Sequence, residues 1–353
     1  MVVPTFAGMS NSAHAQTPST RERKGSDFTE LSRRIKAAGL LERQPAYYAV
    51  RVSLLALVSA GLIATSMTLG ASWWQLAVAA VLAILSGQFA LLAHDLAHRQ
   101  IFRTGRPSQF CGLIVGNLLL GMSYGWWMDK HTRHHANPNH EELDPDVAPD
   151  LLVWSQNQAR NSTGIARRLA PLQGRLFLPL LTLEGLNLHA SAVRAVSKPG
   201  LKNRGTEAAL LVAHAVAYAG ALLLVMSPAQ ALAFAIVHKA LWGFYLGAIF
   251  APNHKGMPTM TGDDKPDFLR KQVLTSRNVT GGVLVDVALG GLNHQIEHHL
   301  FPSMATPQLR KARPIVKAYC AEIGVDYAEA SLVKSYAEAL RHLHHVGAPL
   351  RDS

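Results

Sequence analysis

Long apolar stretches alternate with polar segments along the chain. Four of the stretches run for about twenty residues with few charges, the length that an α-helix needs to cross a bilayer. Shorter apolar runs at 110–124 and 176–188 are interrupted by glycine or polar residues, as is typical of re-entrant or interfacial helices. We therefore predict four transmembrane spans, at residues 48–69, 73–93, 206–226 and 229–251.

Short uncharged connections at 68–72 and 226–230 join these spans in pairs. The pattern predicts an all-α integral membrane protein with four transmembrane helices in two hairpins and a cytoplasmic helical cap. We expect residues 1–44 to form a disordered basic tail and residues 45–307 to form the membrane domain. Residues 308–353 are expected to form a cytoplasmic C-terminal helical segment.

Lys and Arg are concentrated in the two terminal segments and in the polar segment between the hairpins. The positive-inside rule therefore predicts that both termini and this middle segment are cytoplasmic. The composition agrees, since 49% of the 353 residues are hydrophobic and only 16% are charged. The net charge of +11 comes without an aromatic–basic recognition motif, so we expect no nucleic-acid partner. Two cysteines are too few for a disulfide framework or a thiolate metal site.

Histidines are concentrated in three clusters, all on the predicted cytoplasmic side. The clusters are HDLAH from position 94, HTRHH from position 131 and HQIEHH from position 294. Spacings of three and four residues place side chains on one face of a helix. One such pair is common without a metal, but three sets at the ends of spans predict a metal centre. The candidate ligands are His94, His98, His131, His134, His135, His294, His298 and His299, with Gln295 beside them.

The number of imidazoles predicts more than one ion. A structural zinc site closes with four ligands and a catalytic one commonly uses three, so about eight imidazoles imply two metals. Imidazole binds Zn, Cu, Fe and Ni alike, so the ligand type does not identify the metal. A metal centre in a membrane-embedded protein indicates chemistry on a lipid chain, and oxidation of such a chain needs a redox metal, which favours iron. A ligating imidazole usually donates its other N–H to an acceptor such as a carboxylate. Asp95 and Glu297 are candidates for that contact, as are Asp129 and Asp286.

The three clusters, with Leu-Phe-Pro after the last, resemble the histidine boxes of the membrane fatty acid desaturases in their usual order. Gly-Gly-Leu-Asn before the third box, and Gln295 at its first position, resemble the acyl-lipid and front-end branch. The resemblance also implies a ligand just after the last span, where His254 matches. It favours Gln295 over His294 for one contested position, although imidazole is intrinsically the better ligand. The implied ligands of two iron ions are His94, His98, His131, His134, His135, His254, His298 and His299.

The same resemblance implies oxygen-dependent desaturation of a fatty acyl chain, carried on CoA or on a lipid, with O2 as co-substrate and membrane lipids as surroundings. The sequence contains no His-Pro-Gly-Gly of a fused cytochrome b5, no cysteine cluster and no dinucleotide fingerprint. We therefore expect an external electron donor, a ferredoxin or flavin reductase or a cytochrome b5. Two alternatives stay open: a lipid hydroxylase with the same di-iron site, and a non-redox zinc hydrolase or metal-binding membrane protein.

Overall fold

A computed structural model describes residues 26–351 of the chain. The protein is mostly helical, and the strands of the described part are the short β1 (Asn278–Thr280) and β2 (Glu329–Ser331), which pair in parallel. A π-helical turn covers Ile114–Leu119, and 3-10 turns cover Ala170–Leu172 and Ala348–Leu350. The helices are α1 (Asp27–Ala37), α2 (Pro45–Leu69), α3 (Gln75–Ala97), α4 (Gly105–Leu113), α5 (Tyr124–Ala136), α6 (Gln156–Asn161), α7 (Gly164–Leu169), α8 (Gln173–Leu181), α9 (Glu184–Ser197), α10 (Arg204–Val225), α11 (Pro228–His254), α12 (Phe268–Leu274), α13 (Val283–Ala288), α14 (Gln295–Leu300), α15 (Thr306–Glu322) and α16 (Leu332–Val346).

Four helices, α2, α3, α10 and α11, are long and apolar enough to cross a membrane, and two bent helix pairs could raise that number to six. They coincide with the four predicted spans, so the prediction of a helical membrane protein is confirmed at this level. The ends differ, because α3 continues to Ala97 and α11 to His254. The backbone hydrogen bonds of a helix do not depend on side-chain polarity, so a helix can continue past the end of its apolar stretch. Both helices therefore carry candidate ligands at their polar ends.

The helices α3 and α11 form the buried centre of the apolar part. Half of the most apolar stretch of α3 is buried, compared with 6% of that of α2 and 6% of that of α10. Close packing depends on Gly87 of α3, because a Cβ atom there would lie 2.2 Å from the ring of Tyr245 in α11. The two exposed helices present apolar side chains outwards, as expected for surfaces that face lipid.

Two bent helix pairs lie where short apolar runs predicted re-entrant or interfacial segments. The first pair bends by 115° between the π-helical turn and α5, and the second bends by 83° before α9. The first bend is held by Glu207 at the start of α10. Its buried carboxylate accepts hydrogen bonds from Asn117 Nδ2 at 3.0 Å, Ser123 Oγ at 2.6 Å and the Gly125 backbone N–H. This carboxylate therefore fixes the turn from which α5 departs.

The helix α1 corrects the expected N-terminal tail. Ser26 caps it, and Leu31 and Ile35 are fully buried against α15 in a shared hydrophobic core. The prediction of a disordered tail over residues 1–44 is thus wrong for residues 27–37, while residues 1–25 lie outside the described residues. Two apolar residues four positions apart form a narrow stripe on one helix face. The many charged neighbours of this stripe masked it in the sequence.

The C-terminal segment packs over the third histidine cluster. It contains α15, β2 and α16, and β2 pairs with β1 so that Asn278 lies opposite Glu329. Between α15 and β2, the Tyr327 hydroxyl donates to Glu297 Oε1 at 2.6 Å. The C-terminal segment is thus hydrogen-bonded directly to α14, the helix that carries His298 and His299.

Candidate metal centre

Four helix ends bring the candidate ligands together. His94 lies in the last turn of α3, and His98 caps that helix. The second cluster occupies the C-terminal half of α5. His298 and His299 lie in the short helix α14, and His254 is the last residue of α11. The imidazoles converge because four independent helices end at the same place.

The larger group contains five imidazoles whose ligand atoms all lie within 4.8 Å of one another. Its members are His94, His98, His131, His135 and His298. The Nε2 atom of His131 lies 2.8 Å from that of His98 and 3.1 Å from that of His135. The Nε2 atom of His298 lies 3.2 Å from that of His135. Charged rings would repel at such separations, whereas neutral rings bound to one cation would have their lone pairs directed towards a common point.

The smaller group contains His134, His254 and His299, all buried, with ligand atoms within the same 4.8 Å limit. The side-chain amide of Gln295 joins this group, because its Nε2 atom lies 2.9 Å from His254 Nε2. Rotation of that amide would direct its oxygen to the same point. The group therefore offers three imidazoles and one amide oxygen, enough donors for one ion.

The chemistry of both groups fits metal ions. The buried atoms His94 Nε2 and His299 Nε2 have no hydrogen-bond partner among the described residues. Leaving a buried polar atom unpaired is costly, and a bound cation removes that cost. Burial lowers the pKa of His298 and His299 well below the ordinary value for histidine. These rings are therefore neutral at physiological pH, which is the form that binds metals.

Several imidazole nitrogens that face away from the two groups are held by the surrounding protein. His134 Nδ1 lies 3.0 Å from an oxygen of Asp144. His299 Nδ1 lies 2.9 Å from Gln272 Oε1, and His254 Nδ1 lies 3.0 Å from a backbone carbonyl oxygen. Such acceptors fix the ring orientation and the tautomer, and so leave Nε2 free to bind a metal.

Asp144 and Gln272 were not predicted as partners of the ligands. The Asp-Pro-Asp stretch at 144–146 is typical of a turn, and Val147 N–H does donate to the Asp144 carbonyl oxygen. The Asp144 side chain in addition holds a ligand candidate, and its place a few residues after the second cluster was the available signal. Gln272 is a single amide in α12, 27 residues from His299 in sequence, and no spacing pattern marks it.

Asp95, a predicted partner of a ligating imidazole, lies beside His94. Its Oδ1 atom lies 3.5 Å from His94 Nδ1, at the limit of a hydrogen bond. Its Oδ2 atom accepts hydrogen bonds from Arg51 of α2 at 2.6 Å and from Thr306 at 3.1 Å. Because all three partners are largely buried, Asp95 links the first apolar helix to the base of the histidine group.

Glu297 differs from the prediction. Its oxygens accept hydrogen bonds from Tyr327 and from Asn278 Nδ2, so it anchors α14 and does not orient a ligand ring. Burial raises the pKa of Glu297 to about 7. Asp129, also a candidate, is 68% exposed and pairs with Arg133 at the surface.

The contested position at the start of the third cluster has a clear geometry. His294 Nε2 lies 3.2 Å from Asp286 Oδ1, and His294 belongs to neither histidine group. Gln295 instead approaches His254 within the smaller group. The arrangement therefore favours Gln295 over His294 as a metal ligand.

A mostly apolar cavity, which we call the tunnel, adjoins the candidate metal centre. This cavity of about 280 Å³ is lined by candidate ligands from both groups and by apolar side chains such as Met122, Leu188 and Leu246, with charged side chains such as Lys130 and Glu184 among them. A larger cavity of about 630 Å³ shares Trp126 and Lys130 with the tunnel and opens outwards. A hydrocarbon chain in the tunnel would therefore lie against both histidine groups. We call the larger cavity the vestibule.

Comparisons with known proteins agree with this arrangement. A family model described as fatty acid desaturase matches residues 71–331. The chain is 31% identical to fatty acid desaturase 3 of Bos taurus, over 91% of this chain and 73% of the relative. It is 29% identical to an acyl-lipid (9-3)-desaturase of Physcomitrium patens, over 91% of this chain and 62% of the relative. A Delta(6)-fatty-acid desaturase of Caenorhabditis elegans is 26% identical over 90% of this chain and 74% of its own length. The chain thus spans between three fifths and three quarters of these relatives.

Proposed function

Because the chain belongs to the fatty acid desaturase family, we propose that it introduces a double bond into a fatty acyl chain at a histidine-ligated di-iron centre, with O2 as co-substrate. The observation that carries this proposal is the continuity of the apolar tunnel with both histidine groups. Imidazole alone does not choose the metal, but an unactivated carbon chain beside the centre requires a redox metal. When bound, the irons supply the oxygen activation that removal of hydrogen from such a chain needs.

The ligands in this proposal form two sets, matching the two groups. One ion is held by His94, His98, His131, His135 and His298. The other is held by His134, His254, His299 and the amide of Gln295. His294 supports the site through Asp286 and does not bind metal.

The remaining tunnel residues position the substrate and exclude water. Trp127 stacks on His131 with ring centroids 4.4 Å apart, so one wall of the tunnel is packed directly on a ligand. Apolar side chains such as Leu188 and Leu246 favour entry of a hydrocarbon over water. An acyl chain threaded along this surface presents consecutive carbons to the metal centre. Which carbons react then depends on how far the chain can enter.

The distribution of charge supports a cytoplasmic active site. We propose that residues 45–307 form the membrane domain, in which α2 with α3 and α10 with α11 are two transmembrane hairpins and the polar helices form a cytoplasmic cap that carries the histidine clusters. Residues 308–353 form a cytoplasmic helical segment. Both termini and the metal centre then lie in the cytoplasm, as the positive-inside rule predicts. Electrons come from an external donor of the ferredoxin, flavin reductase or cytochrome b5 type.

Expression in a host that lacks the product tests the proposed activity. Fatty acids are profiled by mass spectrometry with and without a co-expressed reductase system, and the iron content of the purified protein is measured. We expect a new unsaturated acid that depends on O2 and on the reductase. A hydroxylated product would identify the hydroxylase alternative. Full activity with zinc and without O2 would identify the non-redox alternative.

A further inference from the structure

The helical segment Gly164–Leu181 packs on the protein with one side only. It comprises α7, the 3-10 turn that follows and α8, and it bends by 83° into α9. On its inner side Ala170 and Phe177 are buried, and Phe177 packs in one cluster with residues of α11 and α16. Phe177 also lines the tunnel, and Leu180 lines the vestibule. The inner side thus belongs to the walls of both cavities, whereas the outer side faces away from them.

Apolar residues and arginines alternate along the outer side. In chain order they are Ile165, Arg168, Leu172, Arg175 and Pro179, and all five are exposed. Spacings of three and four residues place them on one helix face. The apolar members are not marginally exposed, since Ile165 is 64% exposed and Leu172 is 48% exposed. We call these five residues the arginine stripe.

The two guanidinium groups of the stripe have no protein partner in the described part of the chain. Within residues 26–351, neither Arg168 nor Arg175 forms a side-chain hydrogen bond or an ion pair. Residues 151–183 contain four arginines and no acidic residue, so the local charge is entirely positive. The stripe therefore presents uncompensated cations and exposed apolar side chains on the same face.

A face that is apolar and cationic at once fits the surface of an anionic lipid leaflet. Helices of this kind lie in the plane of the membrane surface, with apolar side chains among the acyl chains and basic side chains among the headgroups. A guanidinium group matches a phosphate group through two parallel hydrogen bonds. Nucleic acid also presents phosphates, but its backbone offers no apolar surface to Ile165 and Leu172. The chemistry of the stripe therefore favours a phospholipid.

The neighbouring elements are consistent with a position at the membrane surface. Beyond Pro179, the exposed apolar residues Leu183, Leu186 and Val193 continue along α9. The segment and α9 are together apolar enough for a bent membrane-inserted pair. The proposed orientation puts this pair on the cytoplasmic side, where the leaflet carries anionic lipids. Apolar depth therefore increases towards α9, while the arginines stay near the headgroups.

We propose that the arginine stripe binds anionic phospholipid of the cytoplasmic leaflet, with lipid phosphates on Arg168 and Arg175 and acyl chains against Ile165 and Leu172. This lipid is distinct from the substrate, because no residue of the stripe lines the tunnel or the vestibule. It acts on the helix whose inner residue Phe177 lines the tunnel. Binding of the lipid thus holds one wall of the tunnel against the membrane surface.

Lipid binding to the full-length protein in a non-ionic detergent tests the proposal. The probes are dioleoyl phosphatidylglycerol and dioleoyl phosphatidylcholine, which share their acyl chains and differ in net charge. Native mass spectrometry measures the affinity of each for wild type, R168Q/R175Q and the control R160Q/R167Q. The control removes two exposed arginines from the same stretch, and Arg167 lies about 100° from Arg168 around the helix axis.

Wild type and control should prefer phosphatidylglycerol by about tenfold to thirtyfold, which corresponds to about fivefold for each arginine at an anionic surface. R168Q/R175Q should lose that preference. A further variant, I165S/L172S, should weaken binding of both lipids alike by about tenfold, because it removes apolar contact and no charge. A photoactivatable phosphatidylglycerol should cross-link within residues 164–183 of wild type. Circular dichroism and metal content should be equal in all proteins, since every substituted side chain is exposed.

A preference for phosphatidylglycerol that survives in R168Q/R175Q would overturn the proposal, as would cross-linking only outside the segment. Equal losses in R168Q/R175Q and in R160Q/R167Q would also overturn it, because general surface charge would then explain the preference. If R168Q/R175Q keeps its lipid preference and weakens binding of the electron donor, the stripe is a protein-docking surface and the proposal fails. None of these measurements requires turnover, so their outcome is independent of the proposed desaturase activity.

Discussion

Replacement of His254 by alanine distinguishes two metal positions from one. The smaller group has three imidazoles, so His254→Ala leaves two, together with the Gln295 amide, which is a poorer ligand than imidazole. The larger group has five imidazoles, so His98→Ala leaves four, still the number that closes a tetrahedral site. We therefore expect His254→Ala to lower bound iron from about two ions to about one per chain, and His98→Ala to retain about two.

The assay is elemental analysis of protein purified in detergent, after dialysis against a chelator weak enough to leave wild-type iron in place. Far-UV circular dichroism verifies that each variant keeps its helices. His294→Ala is the control, because His294 lies beside the third cluster but outside both groups. It should keep about two ions per chain. Equal iron loss in His254→Ala and His98→Ala, or undiminished iron in His254→Ala, would refute the two-group assignment.

Three further predictions concern the surroundings of the metal centre. Asp144→Ala removes the partner of His134 Nδ1 and should weaken iron binding by about tenfold to hundredfold in a chelator competition, while the exposed Asp129→Ala should have no effect. Arg51→Met leaves the buried Asp95 without its cation and should destabilise the fold by about 3–5 kcal/mol, seen as a lower thermal midpoint in detergent; an unchanged midpoint would contradict a buried ion pair. Leu246→Ala enlarges the tunnel and should shift kcat/KM towards longer acyl chains by about tenfold per added methylene, and an unchanged chain-length profile would place the end of the substrate elsewhere.

The apolar helices could be predicted from sequence because bilayer thickness sets their length. The lengths of the four apolar runs were sufficient to find α2, α3, α10 and α11, and only their ends were misplaced. The helix α1 was missed because its burial depends on two side chains, Leu31 and Ile35, and on a partner helix almost three hundred residues away in sequence. Tertiary contacts of this kind leave little local pattern.

The sequence indicated which histidines are candidate ligands, but not how they divide into two groups. Spacing within each cluster placed side chains on common helix faces, yet nothing local assigns His134 to one group and His131 to the other. That division follows from the contacts of His134 with His254 of α11 and His299 of α14, which only the folded chain provides. The same limit applies to Gln272, whose contact with His299 depends on the placement of α12.

The hydrogen bond between Tyr327 and Glu297 bears on when the two histidine groups can form during synthesis of the protein. A ribosome delivers His94 to the translocon before any later span has been made, whereas the segment that anchors α14 emerges only after α11 has been made. Neither histidine group can therefore be completed until α2, α3, α10 and α11 have all been made. With iron as the proposed metal, its delivery follows the synthesis of these helices, so cells starved of iron should accumulate an apoprotein that later iron supply can activate.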